Sequence, residues 1–206
     1  MARSKSSKQW LKEHFEDKYV RQKKESGLRS RASFKLLEIQ EKDKIFKGGM
    51  TVVDLGAAPG GWSQIAATLV GKSGKVIASD ILPMDALQGV EFVQGDFTED
   101  QVLQELLLML PREGADLVIS DMAPNMTGIK VIDQAKLMNL AELALDLARS
   151  VLKPGAYLLV KVFHGEGLEE YKAALSRSFK SVRVRKPSAS RARSSELYLL
   201  AQGFLH

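Results

Sequence analysis

Three acids stand at or near the ends of successive apolar runs: Asp54 in Thr51–Leu55, Asp80 in Lys75–Ile81 and Asp96 in Val90–Phe97. The first run leads into Gly56-Ala57-Ala58-Pro59-Gly60-Gly61-Trp62 and then into an amphipathic helical pattern. Glycines between a strand and a helix let main chain approach a ligand at the helix N-terminus, and an acid at the end of the next strand is placed to accept ribose hydroxyls. Two nucleotide classes fail on spacing. A dinucleotide fingerprint requires G-x-G-x-x-G where this turn has G-x-x-x-G-G, and the run Gly71-Lys72-Ser73-Gly74-Lys75 has Ala66 where a P-loop needs its first glycine. S-adenosylmethionine remains. It has no phosphates, its cationic amino-acid end suits Asp54 and the turn at Gly56, and Asp80 and Asp96 are then acceptors for ribose and adenine amine.

A second chemistry is written around Lys161, which sits inside the apolar run Ala156–Phe163 where a valine would pack without desolvation. A lysine accepts a proton only as a neutral amine, and both apolar burial and a neighbouring cation favour that form. Lys35 can supply the cation. On a helix opening at Ser30 it falls within about 40–60° of the stripe Ala32, Leu36, Ile39, so it faces the domain. Asp121 ends the run Ala115–Met122, and Glu196 opens the run Glu196–Gln202. The bland alternatives are lysines that snorkel to solvent, or a fully charged Lys161 that is a structural partner of Asp121.

The elements that must position these residues alternate. Strand patterns cover residues 51–55, 75–81, 90–97, 115–122, 156–163, 181–185 and 196–202; helical patterns cover 30–41, 61–70, 99–110, 133–152 and 167–179. Runs that are apolar on both faces, such as Asp116-Leu-Val-Ile-Ser120, belong to a parallel sheet covered on both sides. The expectation is a doubly wound, Rossmann-like α/β domain with a mostly parallel seven-stranded sheet. Only about ten residues join the last two strands, too few for a helical crossover, so the last strand is expected to run antiparallel. That reversal carries Glu196 to the edge where the parallel strands end.

Composition narrows the class. With 206 residues, one domain is expected, and the absence of cysteine together with three scattered histidines excludes a disulfide framework and argues against a zinc site. No apolar run approaches a bilayer span and the N-terminus lacks a signal-peptide core, so the expected location is cytoplasmic. The net charge of +5 is local. Residues 1–35 carry Lys/Arg in large excess, interleaved with Trp10, Phe15 and Tyr19, and a second basic run extends from Lys180 through Arg183, Arg185, Lys186, Arg191 and Arg193. Such segments suit nucleic acid, with the aromatics available to stack on bases. Methylation at cytosine C5 is excluded by the lack of cysteine, and the segment Asp121-Met122-Ala123-Pro124-Asn125 lacks the paired prolines and aromatic of amino-directed enzymes.

The motifs DLGAAPGGWSQ, SDILPMD, QGDF, SDMAPNMTG and LLVKVFHGEG, with GLRSRASFKL before them and RKPSASRARSSELYL after them, resemble the FtsJ (RrmJ, RlmE) family of bacterial ribosomal RNA ribose 2′-O-methyltransferases over nearly the whole chain. The resemblance implies an S-adenosylmethionine-dependent methyltransferase domain over 31–206, preceded by a basic RNA-binding extension over 1–30. It implies cofactor contacts from Gly60, Trp62, Asp80, Asp96 and Asp121, and a Lys35–Asp121–Lys161–Glu196 tetrad with Lys161 as proton acceptor. The implied substrate is a uridine in the A loop of 23S ribosomal RNA in the large ribosomal subunit, with no metal, no membrane and a monomer by default. The alternative of a different class is a non-catalytic RNA-binding assembly factor on the same fold.

Overall fold

The computed structural model describes residues 27–190 and 194–205; the basic segment ahead of residue 27, and Arg191 and Arg193, lie outside the described residues. In chain order the elements are α1 (Ala32–Asp43), β1 (Thr51–Leu55), α2 (Gly61–Val70), β2 (Lys75–Asp80), β3 (Val90–Gln94), α3 (Asp100–Met109), β4 (Ala115–Ser120), α4 (Lys130–Val151), β5 (Leu152–Phe163), α5 (Leu168–Ser178), β6 (Phe179–Arg185) and β7 (Glu196–Phe204). The seven strands form one sheet in the order β3-β2-β1-β4-β5-β7-β6. β1 to β5 pair in parallel, and β7 is antiparallel to both of its neighbours. The doubly wound architecture and the reversed last strand are as the sequence patterns predict.

Every residue of β1 is buried, as a central strand requires when helices cover both faces. Side chains alternate across the sheet, so one face packs Val53, Val118, Leu158 and Val160 against α4 and α5 residues such as Ala144, Leu145 and Leu175. The other face packs Val52, Leu117, Ile119, Leu159 and Leu200 against Leu36 and Ile39 of α1 and Trp62 and Ile65 of α2. Each fully buried leucine or isoleucine contributes roughly 1.5–3 kcal/mol, and truncating Ile119 to alanine would cost about 2–5 kcal/mol by opening a cavity under the site.

Several boundaries move from expectation for local reasons. β3 stops at Gln94 because Gly95 turns away at φ 152°, leaving Asp96 in the following loop. β4 stops at Ser120, so Asp121 is the first residue beyond it. α4 begins at Lys130 because Asp133, read as its start, instead accepts hydrogen bonds from the Thr127 main chain and hydroxyl and from Gly128 in the preceding loop. β5 reaches back to Leu152, which pairs with Ala115 before a register irregularity. The sheet order reverses between β1 and β4, and ligands of open α/β sheets bind in the crevice beyond the strand ends at such a switch point. The turn after β1 and Asp121 after β4 border that crevice.

Candidate active site

Four charged side chains meet on the sheet face that α1 and α2 cover. β5 and β7 pair with Lys161 opposite Tyr198 and Phe163 opposite Glu196. Alternation then puts Glu196, Tyr198 and Leu200 on one face, shared by Leu159 and Lys161. Asp121 follows Ile119 of the same face by two residues, and Lys35 is among the buried residues of α1.

The charges form two pairs. Lys161 Nζ lies 3.1 Å from Asp121 Oδ1 and also donates to the Asp121 main-chain carbonyl. Lys35 Nζ lies 2.7 Å from Glu196 Oε1, which also accepts from the Ser190 hydroxyl at 2.8 Å. Tyr198 joins them: its hydroxyl donates to Asp121 Oδ1 at 2.7 Å and accepts from Lys35 Nζ at 3.1 Å. A second carboxylate oxygen, Glu196 Oε1, is 3.3 Å from the same hydroxyl; with one hydrogen to give, the shorter contact takes it. Side-chain exposure is only 6% for Lys161 and 17% for Asp121. Removing one member of such a pair leaves a buried charge uncompensated, a loss of about 3–5 kcal/mol.

Burial opposes ionisation of Glu196, but the Lys35 charge and the hydrogen bonds from Lys35 and Ser190 outweigh it and hold the carboxyl below its usual range. Burial, reinforced by Asp121 and Glu196, pushes the Tyr198 phenol well above its usual value. That shift keeps Tyr198 a neutral hydroxyl at neutral pH. Nothing in the run Glu196-Leu-Tyr-Leu-Leu200 marks this tyrosine as more than a core aromatic, and it has no place in the sequence reading; the available signal was its two-residue spacing from Glu196.

Four amides of the glycine turn are already bonded within the protein. The main-chain N–H groups of Gly56 and Ala57 donate to Ser79 O, Ala58 donates to Asp80 Oδ2, and Gly60 donates to Ala57 O, while Pro59 has no N–H. A phosphate cradle built on those four would need them free. The donor set fits a cofactor without phosphates, which is the chemistry of S-adenosylmethionine. Gly56 has φ 72°, and a Cβ there would stand 2.4 Å from Met122 Cγ, so its glycine serves the turn and the packing of Met122. At Gly61 a Cβ would meet Ser30 Oγ at 2.0 Å, and Ser33 donates to Gly61 O at 3.0 Å. The second glycine lets the start of α1 close on the turn.

The remaining acids occupy different environments. Asp80, at the end of β2, accepts from Ala58 N and Leu82 N at 2.8 Å each and knits two loops while staying partly exposed. Asp96 is exposed, one oxygen accepting from the Thr98 main chain and hydroxyl. Asp54 is sealed, at 0% exposure: Oδ2 accepts from the Ser63 hydroxyl at 2.6 Å, and Oδ1 has no partner among the described residues. Burial, with Asp121 and Asp80 adding repulsion against the relief from Ser63, pushes its carboxyl up to about 7. Asp54 thus underpins the turn and has no surface to offer a ligand in this conformation. Trp62 is likewise interior, its indole N–H bonded to Ala32 O and its ring 5.6 Å from that of Tyr198.

Part of the second basic run is used internally. Arg185 grips Asp43 at the end of α1 with two bonds of 2.5 and 2.6 Å, and Lys186 donates to Ser194 O. The loop between β6 and β7 is pinned to α1 by Glu38, which accepts from the Ser188 and Ala189 main chain. Among the described residues no cluster of His, Asp or Glu could hold a metal ion, and no helix is long and apolar enough to cross a membrane.

The sequence matches the family model described as FtsJ-like methyltransferase over residues 28–204. It is 58% identical over 205 residues to the ribosomal RNA large subunit methyltransferase E of Cellvibrio japonicus, covering 100% of this chain and 97% of that protein. To the protein of the same name from Chromohalobacter salexigens it is 63% identical over 201 residues, covering 98% and 96%. Among solved structures, a ribosomal RNA methyltransferase of Plasmodium falciparum superposes with a TM-score of 0.76 at 28% identity, over 86% of this chain and 98% of that one.

Proposed function

The chain belongs to the FtsJ-like methyltransferase family, and on that footing we propose that it transfers a methyl group from S-adenosylmethionine to a ribose 2′-hydroxyl of 23S ribosomal RNA in the large ribosomal subunit, at a uridine of the A loop. The observation that carries the reading is the buried quartet Lys35, Asp121, Lys161 and Glu196 gathered around Tyr198 near the glycine turn after β1.

When bound, S-adenosylmethionine supplies a methyl group on a sulfonium that leaves as a neutral thioether. The protein's task is to align the attacking oxygen and to remove its proton. Lys161 is the acceptor of that proton. As a neutral amine it has two hydrogens and one lone pair; the Asp121 carboxylate and carbonyl take the hydrogens, and the lone pair is left to take the proton of the ribose hydroxyl, giving the ammonium. Asp121 orients Lys161. Lys35 and Glu196 hold the ribose and, through Tyr198, fix Asp121. Asp80 accepts the cofactor's ribose hydroxyls, Asp96 its adenine amine, and Gly60 and the main chain of Trp62 border it. Asp54 and Gly56 act from beneath by holding the turn. No metal is needed for these roles.

The cations of residues 1–30, Arg29 apart, and the arginines at 191 and 193 capture the RNA backbone. The enzyme works as a monomer in the cytoplasm, where ribosomal subunits mature. The test is to supply purified protein with methyl-labelled S-adenosylmethionine and large subunits lacking the modification, then map the label. A single 2′-O-methylated uridine in 23S RNA is expected. RNA binding with steep salt dependence and no label transfer would establish the assembly-factor alternative.

A further inference from the structure

Arg29 lies in the stretch whose cations the charge pattern gives to RNA, yet its side chain is turned into the protein. Nη1 donates to Asp85 O at 2.7 Å and to Pro59 O at 3.3 Å, and Nη2 donates to Ala86 O at 2.8 Å. Its main-chain N–H donates to Gln64 Oε1 at 3.0 Å, and Gln64 Nε2 returns a bond to Gly27 O at 3.1 Å. A guanidinium is a rigid fork of donors. Here the fork spans two loops. One is the glycine turn after β1, and the other follows Asp80 and has no regular secondary structure from residue 81 to 89.

The second loop has few other anchors. Ile81 and Leu82 are 65% and 59% exposed. Met84 and Leu87 rest on the turn so closely that a Cβ on Gly60 would stand 2.9 Å from Met84 Sδ, 2.8 Å from Leu87 Cδ1 and 3.1 Å from Arg29 Nη1. Arg29 therefore closes a three-part contact among the segment entering α1, the turn carrying Gly60 and the loop that begins at Asp80.

Resting on the proposed cofactor site above, we propose that Arg29 is a positioning residue for S-adenosylmethionine, clamping the 81–89 loop onto the glycine turn so that the wall carrying Asp80 is ordered before the cofactor arrives, and that it is not one of the RNA-binding cations. Without the clamp, that loop is ordered only on binding, and the entropic cost appears as weaker affinity.

The experiment uses the full chain and the variants Arg29→Ala and Arg29→Lys. Titration calorimetry measures S-adenosylmethionine binding, filter binding at several salt concentrations measures affinity for an A-loop RNA hairpin, and single-turnover transfer is measured at saturating cofactor. Arg29→Ala should raise the cofactor Kd about tenfold, leave transfer at saturation within twofold, and leave RNA affinity and its salt slope unchanged. Arg29→Lys should still bind cofactor at least fivefold more weakly, because one ammonium cannot span both loops. A cofactor Kd within twofold of native for Arg29→Ala overturns the clamp, as does weaker RNA binding with a salt slope reduced by about one. An equal fall in cofactor affinity, transfer rate and melting temperature shows a merely structural arginine and also overturns it. If the native chain itself binds no S-adenosylmethionine, the functional reading fails first, and the clamp falls with it.

Discussion

The two halves of the sheet edge handle charge in opposite ways. Beyond β1, β2 and β3, the acids Asp80 and Asp96 are open to solvent and spend their oxygens on nearby main chain. Beyond β4 and beside β5 and β7, the acids Asp121 and Glu196 are nearly covered and spend theirs on lysines. The first half can recognise a polar ligand by offering remaining lone pairs at little desolvation cost. The second half holds two lysines and two acids largely out of water, each paired with another, so that a substrate hydroxyl placed among them meets a strong local field. Affinity for the cofactor should therefore live in one half and the rate of transfer in the other.

Exchanging residues on each side tests that division. The largest effect is expected for Lys161→Ala, which should lower single-turnover methyl transfer by about 10³-fold while cofactor Kd stays within twofold; Lys161→Arg should be equally inactive because a guanidinium does not deprotonate. Retention of a tenth of the native rate by Lys161→Ala would remove the base from the transfer half. On the other side, Asp80→Ala should raise cofactor Kd by about ten- to a hundredfold, the loss of one or two charge-assisted hydrogen bonds, with transfer at saturation within threefold. Asp54→Asn sharpens the contrast through pH. The native carboxyl is raised to about 7 in the folded protein, so its stabilising effect is present below the unfolded value and is lost as pH rises through 7. The unfolding free energy of Asp54→Asn relative to native should therefore grow by about 2 kcal/mol between pH 5 and pH 8, measured by urea denaturation. The smallest effect is expected for Tyr198→Phe, which keeps the ring against Trp62 and deletes the bridging hydroxyl: about a tenfold slower transfer with unchanged cofactor Kd. A variant that instead lost cofactor affinity would place Tyr198 in the wrong half.

The positions of Lys35, Asp121, Lys161 and Glu196 were legible because each depends on a short-range rule: helical angle for Lys35, strand ends for Asp121 and Lys161, and hairpin length for Glu196. Tyr198 was not, because its partners depend on the register that sets it opposite Lys161, and register is fixed by long-range pairing. Arg29 and Arg185 were read as surface cations, since charge pattern alone does not distinguish a guanidinium facing phosphate from one facing the carbonyls of Pro59, Asp85 and Ala86 or the carboxylate of Asp43. Asp54 was expected to meet the cofactor and is instead covered, a consequence of β1 being central and clothed on both faces.

The reversed strand β7 also governs when activity can first exist during synthesis. Gly60, Asp80 and Asp96, proposed above to meet the cofactor, are encoded before residue 100, whereas Glu196 and Tyr198 come from the strand that is made after every other element of the sheet and inserts between β5 and β6. A nascent chain halted at the preceding loop would already carry the residues proposed to hold the methyl donor, yet Lys35 and Asp121 would lack their acidic and phenolic counterparts. The charges of the site are therefore answered only when the last strand has been inserted into the sheet.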